Sequence, residues 1–141
     1  MAANCRFAFG VHLLSVLTLH PDENFSSEKL ALTVNTNAVV IRRMLLDLKT
    51  AGLIETQRGP GGGTRLAKSS SEITLADIHR AVAGAIETFG AHPNPPAQAC
   101  IVGREIEGVL QNVSQRASLA VEREFAAITL ADVVSQMQVK Q

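Results

Sequence analysis

The stretch that decides the fold is Arg58-Gly-Pro-Gly-Gly-Gly-Thr-Arg65, in which four glycines and one proline lie between two arginines. Glycine accepts positive φ and close backbone approach, and Pro60 fixes its own φ, so these residues are typical of a hairpin tip. A short run of β-type residues stands on each side, at 53–57 and at 64–67. A narrow hairpin that presents backbone and two guanidinium groups fits a groove lined with phosphates. The same residues also suit an ordinary flexible hairpin with solvated arginines.

Two short helices with a polar turn between them are predicted just upstream of the hairpin. Ser26 or Ser27 suits the N-cap of the first helix, and the last residue of the turn Asn35-Thr36-Asn37 suits the N-cap of the second. The second helix is expected over residues 38–51, and Gly52 after it is a stop signal. The inward-facing residues have helical spacing, and they are Leu30, Ala31 and Val34, then Ile41, Met44, Leu45 and Leu48.

Helix, turn, helix and glycine-tipped hairpin, in this order, predict a winged helix-turn-helix, a mainly α fold with a small β-hairpin wing. The exposed face of the second helix carries Arg42 and Arg43, which suit guanine edges or phosphates in a major groove. The arginines of the wing suit the negative potential of the adjacent minor groove. The predicted partner is double-stranded DNA, and the predicted DNA-binding residues are Asn35, Thr36, Asn37, Val39, Arg42, Arg43, Arg58, Gly61, Gly62 and Arg65.

Charge is balanced over the whole chain but uneven along its length. The chain has 141 residues, 46% of them hydrophobic, which is enough for one modest domain with a core. Residues 1–68 hold eight Lys/Arg and five Asp/Glu, a net of +3, whereas residues 69–141 hold five and eight, a net of −3. The positive half contains the hairpin, so we expect a basic working surface joined to a neutral-to-acidic body.

Cysteine usage and hydropathy indicate the compartment. Two cysteines, Cys5 and Cys100, are too few for a disulfide scaffold. The apolar run 7–19 contains His12 and lacks both a basic n-region and a small-residue cleavage site, so it predicts a first helix within residues 5–19 and no signal peptide. No stretch is long enough to span a membrane. We therefore expect a cytoplasmic protein with no membrane partner.

A linker at residues 69–71 and a fourth helix are predicted after the hairpin. Thr74 suits the N-cap, Asp77 completes a capping box, and Ile73 and Ile78 are placed as a hydrophobic staple. The same kind of start recurs at Ile128-Thr129-Leu130-Ala131-Asp132, where the flanking residues do not match. This pattern indicates two similar helix starts and not an internal repeat.

Residues 88–100 contain three prolines and a glycine and are predicted as an exposed loop that includes His92. Cys100 lies at the start of the next helix, where the helix dipole favours a thiolate. That helix is expected over about residues 102–127, roughly 35–40 Å. Its apolar seam is Ile106, Leu110, Val113, Ala117 and Ala120. The remaining chain is too short to cover this seam, so a second copy of the chain is expected there. The alternative is a helix folded back entirely on its own domain.

Five segments together resemble one protein family. They are Arg58-Gly-Pro-Gly-Gly-Gly, Ala51-Gly52-Leu53-Ile54, Val34-Asn35-Thr36-Asn37, Val102-Gly103 after Cys100, and Ile128-Thr129-Leu130-Ala131-Asp132. In this order they are similar to the Rrf-two (Rrf2) family of bacterial winged-helix transcriptional regulators, over nearly the whole chain. The resemblance implies a homodimer crossed through the long helix, bound to a palindromic operator with one recognition helix per half-site.

The resemblance also carries residue roles and one departure. By position, Arg42 and Arg43 match the family's base- and phosphate-contacting places, and Arg58 and Arg65 match its wing. Members that sense iron–sulfur status or nitric oxide carry three cysteines in the loop before the long helix, whereas this loop has only Cys100. The chain therefore resembles the cluster-free branch, and neither an iron–sulfur cluster nor another metal or cofactor is expected.

The leading hypothesis is a DNA-binding regulator, most simply a repressor, whose affinity is set by the loop at residues 88–100. Cys100 and His92 are the candidate sensor residues, for an oxidant or a small-molecule effector; a purely structural Cys100 is the alternative. A second hypothesis is an interaction module, for which Val39 and Leu46 offer only a small apolar patch. An enzyme that uses Cys100 and His92 would lack an orienting third group, so no catalytic activity is expected.

The expected organisation has three parts. Residues 1–68 form the winged helix-turn-helix, residues 69–100 the connecting helix and sensor-type loop, and residues 101–141 the dimerisation helix and a C-terminal helix.

Overall fold

The computed structural model describes residues 3–138. The helices are α1 (Ala3–Leu19), α2 (Ser27–Val34), α3 (Ala38–Thr50), α4 (Leu75–Ala83), α5 (Ile101–Ala126) and α6 (Leu130–Gln138), and the strands are β1 (Ile54–Gln57) and β2 (Gly63–Leu66). The prediction of a mainly α fold with one small antiparallel hairpin is confirmed. The predicted linker at 69–71 is partly ordered, because Ser69 caps a single turn of 3-10 helix at Ser70–Glu72.

The first helix of the helix-turn-helix, α2, begins at a serine cap. Of the two candidate serines, Ser26 is the N-cap, and its hydroxyl oxygen accepts a hydrogen bond from the Lys29 amide at 3.1 Å. Glu28 lies in the first turn, where a carboxylate is favoured by the positive end of the helix dipole. Leu30 and Ala31 are buried as predicted, so α2 packs on the core through a narrow apolar face.

The end of α3 turns the chain directly into the hairpin. The Gly52 amide donates to the Lys49 carbonyl at 2.9 Å, and the Leu53 amide donates to the Leu48 carbonyl at 3.0 Å. This pair of bonds is a Schellman motif, which needs a left-handed residue after the helix, and Gly52 supplies it with φ +78°. α3, which as the second helix of the helix-turn-helix is here called the recognition helix, and the β1–β2 hairpin, called the wing, are therefore joined without a free linker.

The hairpin is held to the rest of the domain at its base. In the register of the two strands, Ile54 lies opposite Leu66, and Ile54 is buried. The amide of Thr64 donates to the carbonyl of Phe25 at 3.3 Å, and both residues are almost fully buried. This bridge ties β2 to the segment before α2, whereas Glu55, Thr56 and Gln57 of β1 and the tip of the hairpin are exposed.

The helix starts predicted at Thr74 and Thr129 both form reciprocal capping boxes. The Thr74 hydroxyl accepts from the Asp77 amide at 3.1 Å, and the Asp77 carboxylate accepts from the Thr74 amide at 3.0 Å. Thr129 and Asp132 repeat this pair of bonds at 3.1 and 2.9 Å. Each box satisfies two amides that have no partner within the helix.

The two helix starts also pair with each other. The Leu75 amide donates to the Ile128 carbonyl at 2.9 Å, and the Leu130 amide donates to the Ile73 carbonyl at 2.8 Å. The result is an antiparallel bridge centred on Thr74 and Thr129. Sequence reasoning found the likeness between the two motifs but gave no indication that they touch.

One hydrophobic core extends across the boundary drawn at residue 68. Leu13 and Leu14 of α1 share a cluster of buried residues with Ile41 and Leu48 of α3. The same cluster includes Ile73, Ile78, Val82, Leu130 and Val134, which come from α4, α6 and the segment just before α4. α1 packs against both α4 and α6, so it is the central helix of the core.

The connection between α4 and α5 is longer than predicted. α4 ends at Ala83, and Gly84 follows with φ +74° and ψ −149°, a conformation that breaks the helix. Residues 84–100 are not helical, so the loop begins before residue 88. α5 has 26 residues, which is about 39 Å. None of the helices between residues 3 and 138 is long and apolar enough to cross a membrane.

Candidate nucleic-acid interface

The turn between α2 and α3 positions the recognition helix. Asn35 has φ +63°, a left-handed conformation that asparagine tolerates better than most residues, and the Thr36 amide then donates to the Ala31 carbonyl at 3.0 Å. The side-chain oxygen of Asn37 accepts from the Val39 amide at 2.7 Å. The structure therefore places Asn35 and Asn37 in structural roles, because one sets the turn and the other caps α3.

α3 has a buried face and an exposed face, as its spacing predicts. Ile41, Met44 and Leu48 are fully buried, and Leu45 is 7% exposed. Val39, Arg42, Arg43, Leu46 and Thr50 are exposed on the remaining surface, whereas Thr36 is half-buried. A helix whose outer face carries two neighbouring arginines can place them against a polyanion without moving its core.

The two arginines of α3 differ in their surroundings. Arg42 Nη2 lies 2.9 Å from Glu28 Oε1, an ion pair that joins the recognition helix to the first turn of α2. The hydrogen bond from Arg42 holds the pKa of the Glu28 carboxyl below its ordinary value. Within residues 3–138, Arg43 makes no ion pair. Arg43 is thus available for an external anion, whereas Arg42 must leave or share the Glu28 carboxylate before it can bind an external anion.

The wing is built from glycine geometry. The Gly62 amide donates to the Gly59 carbonyl at 2.9 Å, and Gly61 has φ +74°. With Pro60 before Gly61, this is a type II turn, which requires positive φ at its third residue. A side chain at Gly62 would overlap the backbone carbonyl of Gln57. The tip therefore carries almost no side-chain bulk; Gly61 and Gly62 set its backbone conformation, and their contact with DNA stays a prediction.

Two arginines flank the wing tip. Arg58 is exposed between β1 and the turn. Arg65 lies opposite Glu55 in the hairpin register, and its Nη2 donates to the Asn24 side-chain oxygen at 3.4 Å. That bond is long, so Arg65 is only lightly held and keeps donors for another partner.

Sequence reasoning missed several residues that hold the interface together. Lys49 Nζ, on α3, donates to Thr56 Oγ1, on β1, at 3.0 Å, and so connects the recognition helix to the wing. Glu28 is a second such residue, through its ion pair with Arg42. Both contacts join different elements at spacings with no local pattern, so only the folded chain reveals them.

The segment before α5 holds the candidate sensor residues. Cys100 is the N-cap of α5 and is exposed, and its side chain makes no capping bond. The nearby backbone amides of Gly103 first, and of Val102 second, lower the pKa of the Cys100 thiol from its ordinary value because they favour the thiolate. His92 is exposed in the same segment, and no hydrogen bond joins it to Cys100 within the described chain.

Gly103 allows the segment to lie against α5. A side chain at this buried position would overlap the carbonyl oxygen of Ala97. Arg104 adds a second attachment, because its Nη1 donates to the Gln98 carbonyl at 3.0 Å. Residues 97–100 are therefore fixed on the first turn of the long helix, although the loop before them is exposed.

The outer face of the helix-turn-helix carries arginines, and a hairpin with an arginine on each side of its tip follows it directly. These features define a winged helix-turn-helix protein of the nucleic-acid-binding class. Residues 3–136 match the Rrf2 family model, whose description is an iron-dependent transcriptional regulator. The chain belongs to the Rrf2 family. It is a helix-turn-helix transcriptional regulator, and its family consists of regulators and not of enzymes.

Relatives and solved structures agree with this assignment. YwnA of Bacillus subtilis (strain 168), named as a candidate HTH-type transcriptional regulator, is 37% identical over 134 residues, which are 95% of this chain and 98% of YwnA. The HTH-type regulator NsrR of Halalkalibacterium halodurans is 29% identical, over 90% of this chain and 86% of NsrR. A crystal structure of a candidate DNA-binding protein, 35% identical, superposes with a TM-score of 0.73 over 91% of this chain and 97% of its own.

Proposed function

We propose that the protein is a homodimeric repressor that binds a palindromic operator, with α3 of each protomer in a major groove and the β1–β2 hairpin in the adjacent minor groove. The observation that carries this proposal is the exposed face of α3, where Arg43 makes no ion pair among residues 3–138. The Lys49–Thr56 contact and the Schellman turn support it, because they hold the wing to that helix.

The exposed seam of α5 supports the dimer. Leu110 and Val113 are 48% and 52% exposed, and Gly103 is the one buried residue of α5. Burying a side chain of this size is worth about 1.5–3 kcal/mol, so a regular row of such residues favours association. A second copy, related by a two-fold axis, covers the seam with the same residues from the partner. A helix folded back entirely on its own domain would not leave these residues in water.

Binding of DNA is tested by fluorescence anisotropy of the purified protein with fragments of its own upstream region, at several salt concentrations. We expect tight binding to one fragment that weakens steeply with salt. Arg43→Ala and Arg58→Ala are expected to abolish the preference. Lys68→Ala, which removes one positive charge from an exposed position outside the proposed contacts, serves as the matched control. An equal loss of affinity in Lys68→Ala would show that net charge alone governs binding.

Dimerisation is tested separately by sedimentation equilibrium. Val113→Glu places a charge in the seam and is expected to produce monomers, whereas Gln111→Glu, an exposed residue of the same helix off the seam, is expected to leave the dimer intact. If the wild-type protein sediments as a monomer at micromolar concentration, the two-fold operator arrangement is refuted, although DNA binding by one protomer is not.

The proposed repressor works without an iron–sulfur cluster. A protein-held cluster needs several thiolate or imidazole ligands together. The segment before α5 offers only Cys100, Cys5 lies on α1, and no group of three or more His, Cys, Asp and Glu side chains within residues 3–138 is placed to hold a metal. These donors do not fit such a cluster, so the proposed signal is a thiol oxidant or a small molecule acting at residues 84–100.

A redox role for Cys100 is distinguished from a structural one by Cys100→Ser. If oxidant weakens operator binding of the wild-type protein but not of the variant, Cys100 is the sensor. Unchanged operator affinity of the wild-type protein in oxidant assigns Cys100 a structural role at the start of α5. If no fragment is bound under any condition, the same surface serves a protein partner, and the exposed Val39 and Leu46 become its apolar contacts.

A further inference from the structure

Arg6, on α1, contacts two elements at once. Its Nη2 lies 2.6 Å from Asp47 Oδ2 on the recognition helix α3, and its Nε donates at 2.6 Å to the Val82 carbonyl in the last turn of α4. The side chain of Arg6 is 27% exposed, so this guanidinium lies partly inside the protein. The planar guanidinium holds its donors in a fixed fork, so one side chain fixes the distance between its two acceptors.

Each of the two acceptors explains why an arginine is favoured there. The carbonyl of Val82 is one of the last four carbonyl groups of α4, which have no hydrogen-bond partner within the helix. A positive charge is also favourable at this end of the helix dipole. Asp47 provides a carboxylate for a charge-assisted bond, which is among the stronger hydrogen bonds in proteins. Arg6 therefore joins α3 to the helix that leads into residues 84–100 and then into α5.

Arg6 also keeps Asp47 away from Arg43. These two residues are four apart on α3, the spacing at which opposite charges pair on a helix surface. Asp47 is bonded to Arg6 and not to Arg43, which makes no ion pair among residues 3–138. Loss of Arg6 would release Asp47 to neutralise an arginine that the proposed function places against DNA.

We propose that Arg6 is a positioning residue that fixes the recognition helix relative to the α4–α5 half and thereby sets the half-site spacing that the dimer accepts. This inference rests on the proposed function, because a spacing requirement exists only if two recognition helices are held by one dimer. Inserting one base pair between half-sites rotates one of them by about 35° about the DNA axis. A recognition helix that Arg6 holds rigidly to α4 cannot reorient to match that rotation, whereas a recognition helix without this contact can.

The test is an operator-spacing series. The operator is first located with wild-type protein. Fluorescence anisotropy then measures binding to four DNAs: the operator itself, the operator with one base pair removed between its half-sites, the operator with one base pair inserted there, and a single half-site. We expect wild-type protein to lose about tenfold or more in affinity when the spacing changes, because protein or DNA must deform. The affinity of Arg6→Met is expected to fall by about threefold or less when the spacing changes in the same way. Arg6→Lys, which retains the charge but not the fork, is expected to lie between them.

Controls separate positioning from charge and from folding. Lys68→Met removes one positive charge outside these contacts and is expected to keep the wild-type spacing profile. The thermal melt of Arg6→Met shows whether it folds, and Asp47→Asn, which weakens only one of the two contacts, gives a second variant with an intermediate profile. If a folded Arg6→Met keeps the full wild-type spacing profile, the inference is overturned and the repressor proposal stands. If Arg6→Met does not fold, a wild-type profile for Asp47→Asn overturns it.

Failure of the underlying function has a different result. If wild-type protein binds no operator fragment, the repressor proposal fails and the positioning role fails with it. If wild-type protein binds the single half-site as tightly as the full operator, two recognition helices are not used together, which also overturns the inference while leaving DNA binding intact.

Discussion

Replacing Gly103 with alanine is expected to detach the segment before α5 from the first turn of that helix. An added methyl group would overlap the carbonyl oxygen of Ala97. Backbone atoms cannot rotate away as a flexible side chain can, so either residues 97–100 or the first turn of α5 must shift. The perturbation is small in volume, but it acts on the contact that places Cys100 at the start of the helix.

The magnitude follows from comparison with a second glycine of the same helix. Gly108 has no atom within 4 Å of a built side chain. Alanine there is expected to stabilise the helix by about 1 kcal/mol, the ordinary difference between the two residues. At Gly103 the same gain is opposed by an overpacking cost of about 1–3 kcal/mol. The two variants should therefore differ by about that cost, or roughly 2–12 °C in melting temperature.

The assay is a pair of thermal unfolding curves followed by circular dichroism at one protein concentration, since a dimer melts in a concentration-dependent way. Thiol alkylation of Cys100 gives a second readout, because the amide of Gly103 is the first cause of its lowered pKa. Equal melting temperatures for Gly103→Ala and Gly108→Ala, with unchanged alkylation of Cys100, would refute the close packing of Ala97 on the helix and the reasoning built on it.

Three further predictions concern the interface and the thiol. Gly62→Ala should weaken DNA binding with little change in melting temperature, because the clash with Gln57 is confined to the exposed tip; anisotropy and a melt check this together. Glu28→Gln should steepen the slope of log affinity against log salt by about 0.9, as Arg42 becomes free to release one more counterion. Unchanged salt dependence would show that the ion pair does not restrain Arg42. In a Cys5→Ser background, the pH midpoint of Cys100 alkylation should lie below that of free cysteine measured under the same conditions, since the lowered pKa favours thiolate at lower pH; a midpoint at or above that of free cysteine would contradict it.

Local signals in the sequence predicted the elements of this fold well. The serine and asparagine caps, the glycine after α3 and the two Thr–Asp boxes each act over a few residues, and the structure has all of them in place. The apolar spacing of α3 likewise predicts its buried face. Such features depend on the chain within one helical turn, so a single sequence contains the information needed to find them.

Contacts between distant segments could not be predicted in the same way. The bonds of Arg6 to Asp47 and Val82 span three helices, and nothing near residue 6 indicates its partners. The ion pair between Glu28 and Arg42 has the same character. The early end of α4 was missed for another reason, because Gly84 follows residues with helical preference and its positive φ is set by the fold around it.

The candidate site shows the same division. The arginines of α3 and of the wing are exposed where pattern and turn chemistry place them. Asn35 and Asn37 set and cap α3 in the structure, and their contact with DNA stays a prediction. The polar residues of a tight turn serve the backbone first, and sequence alone does not separate that duty from recognition.

The pairing of the two helix starts has a consequence for the order in which the protein folds. Thr74 and Thr129 pair although they are 55 positions apart in the sequence. Closing so long a loop is entropically costly and slow, so this contact belongs to a late step. Leu130 and Val134 complete the same core that α1 begins. On the ribosome, the nascent chain must therefore wait with part of its interior open to water until residues 128–134 have emerged, and that interval is when chaperone binding and aggregation compete with completion of the fold.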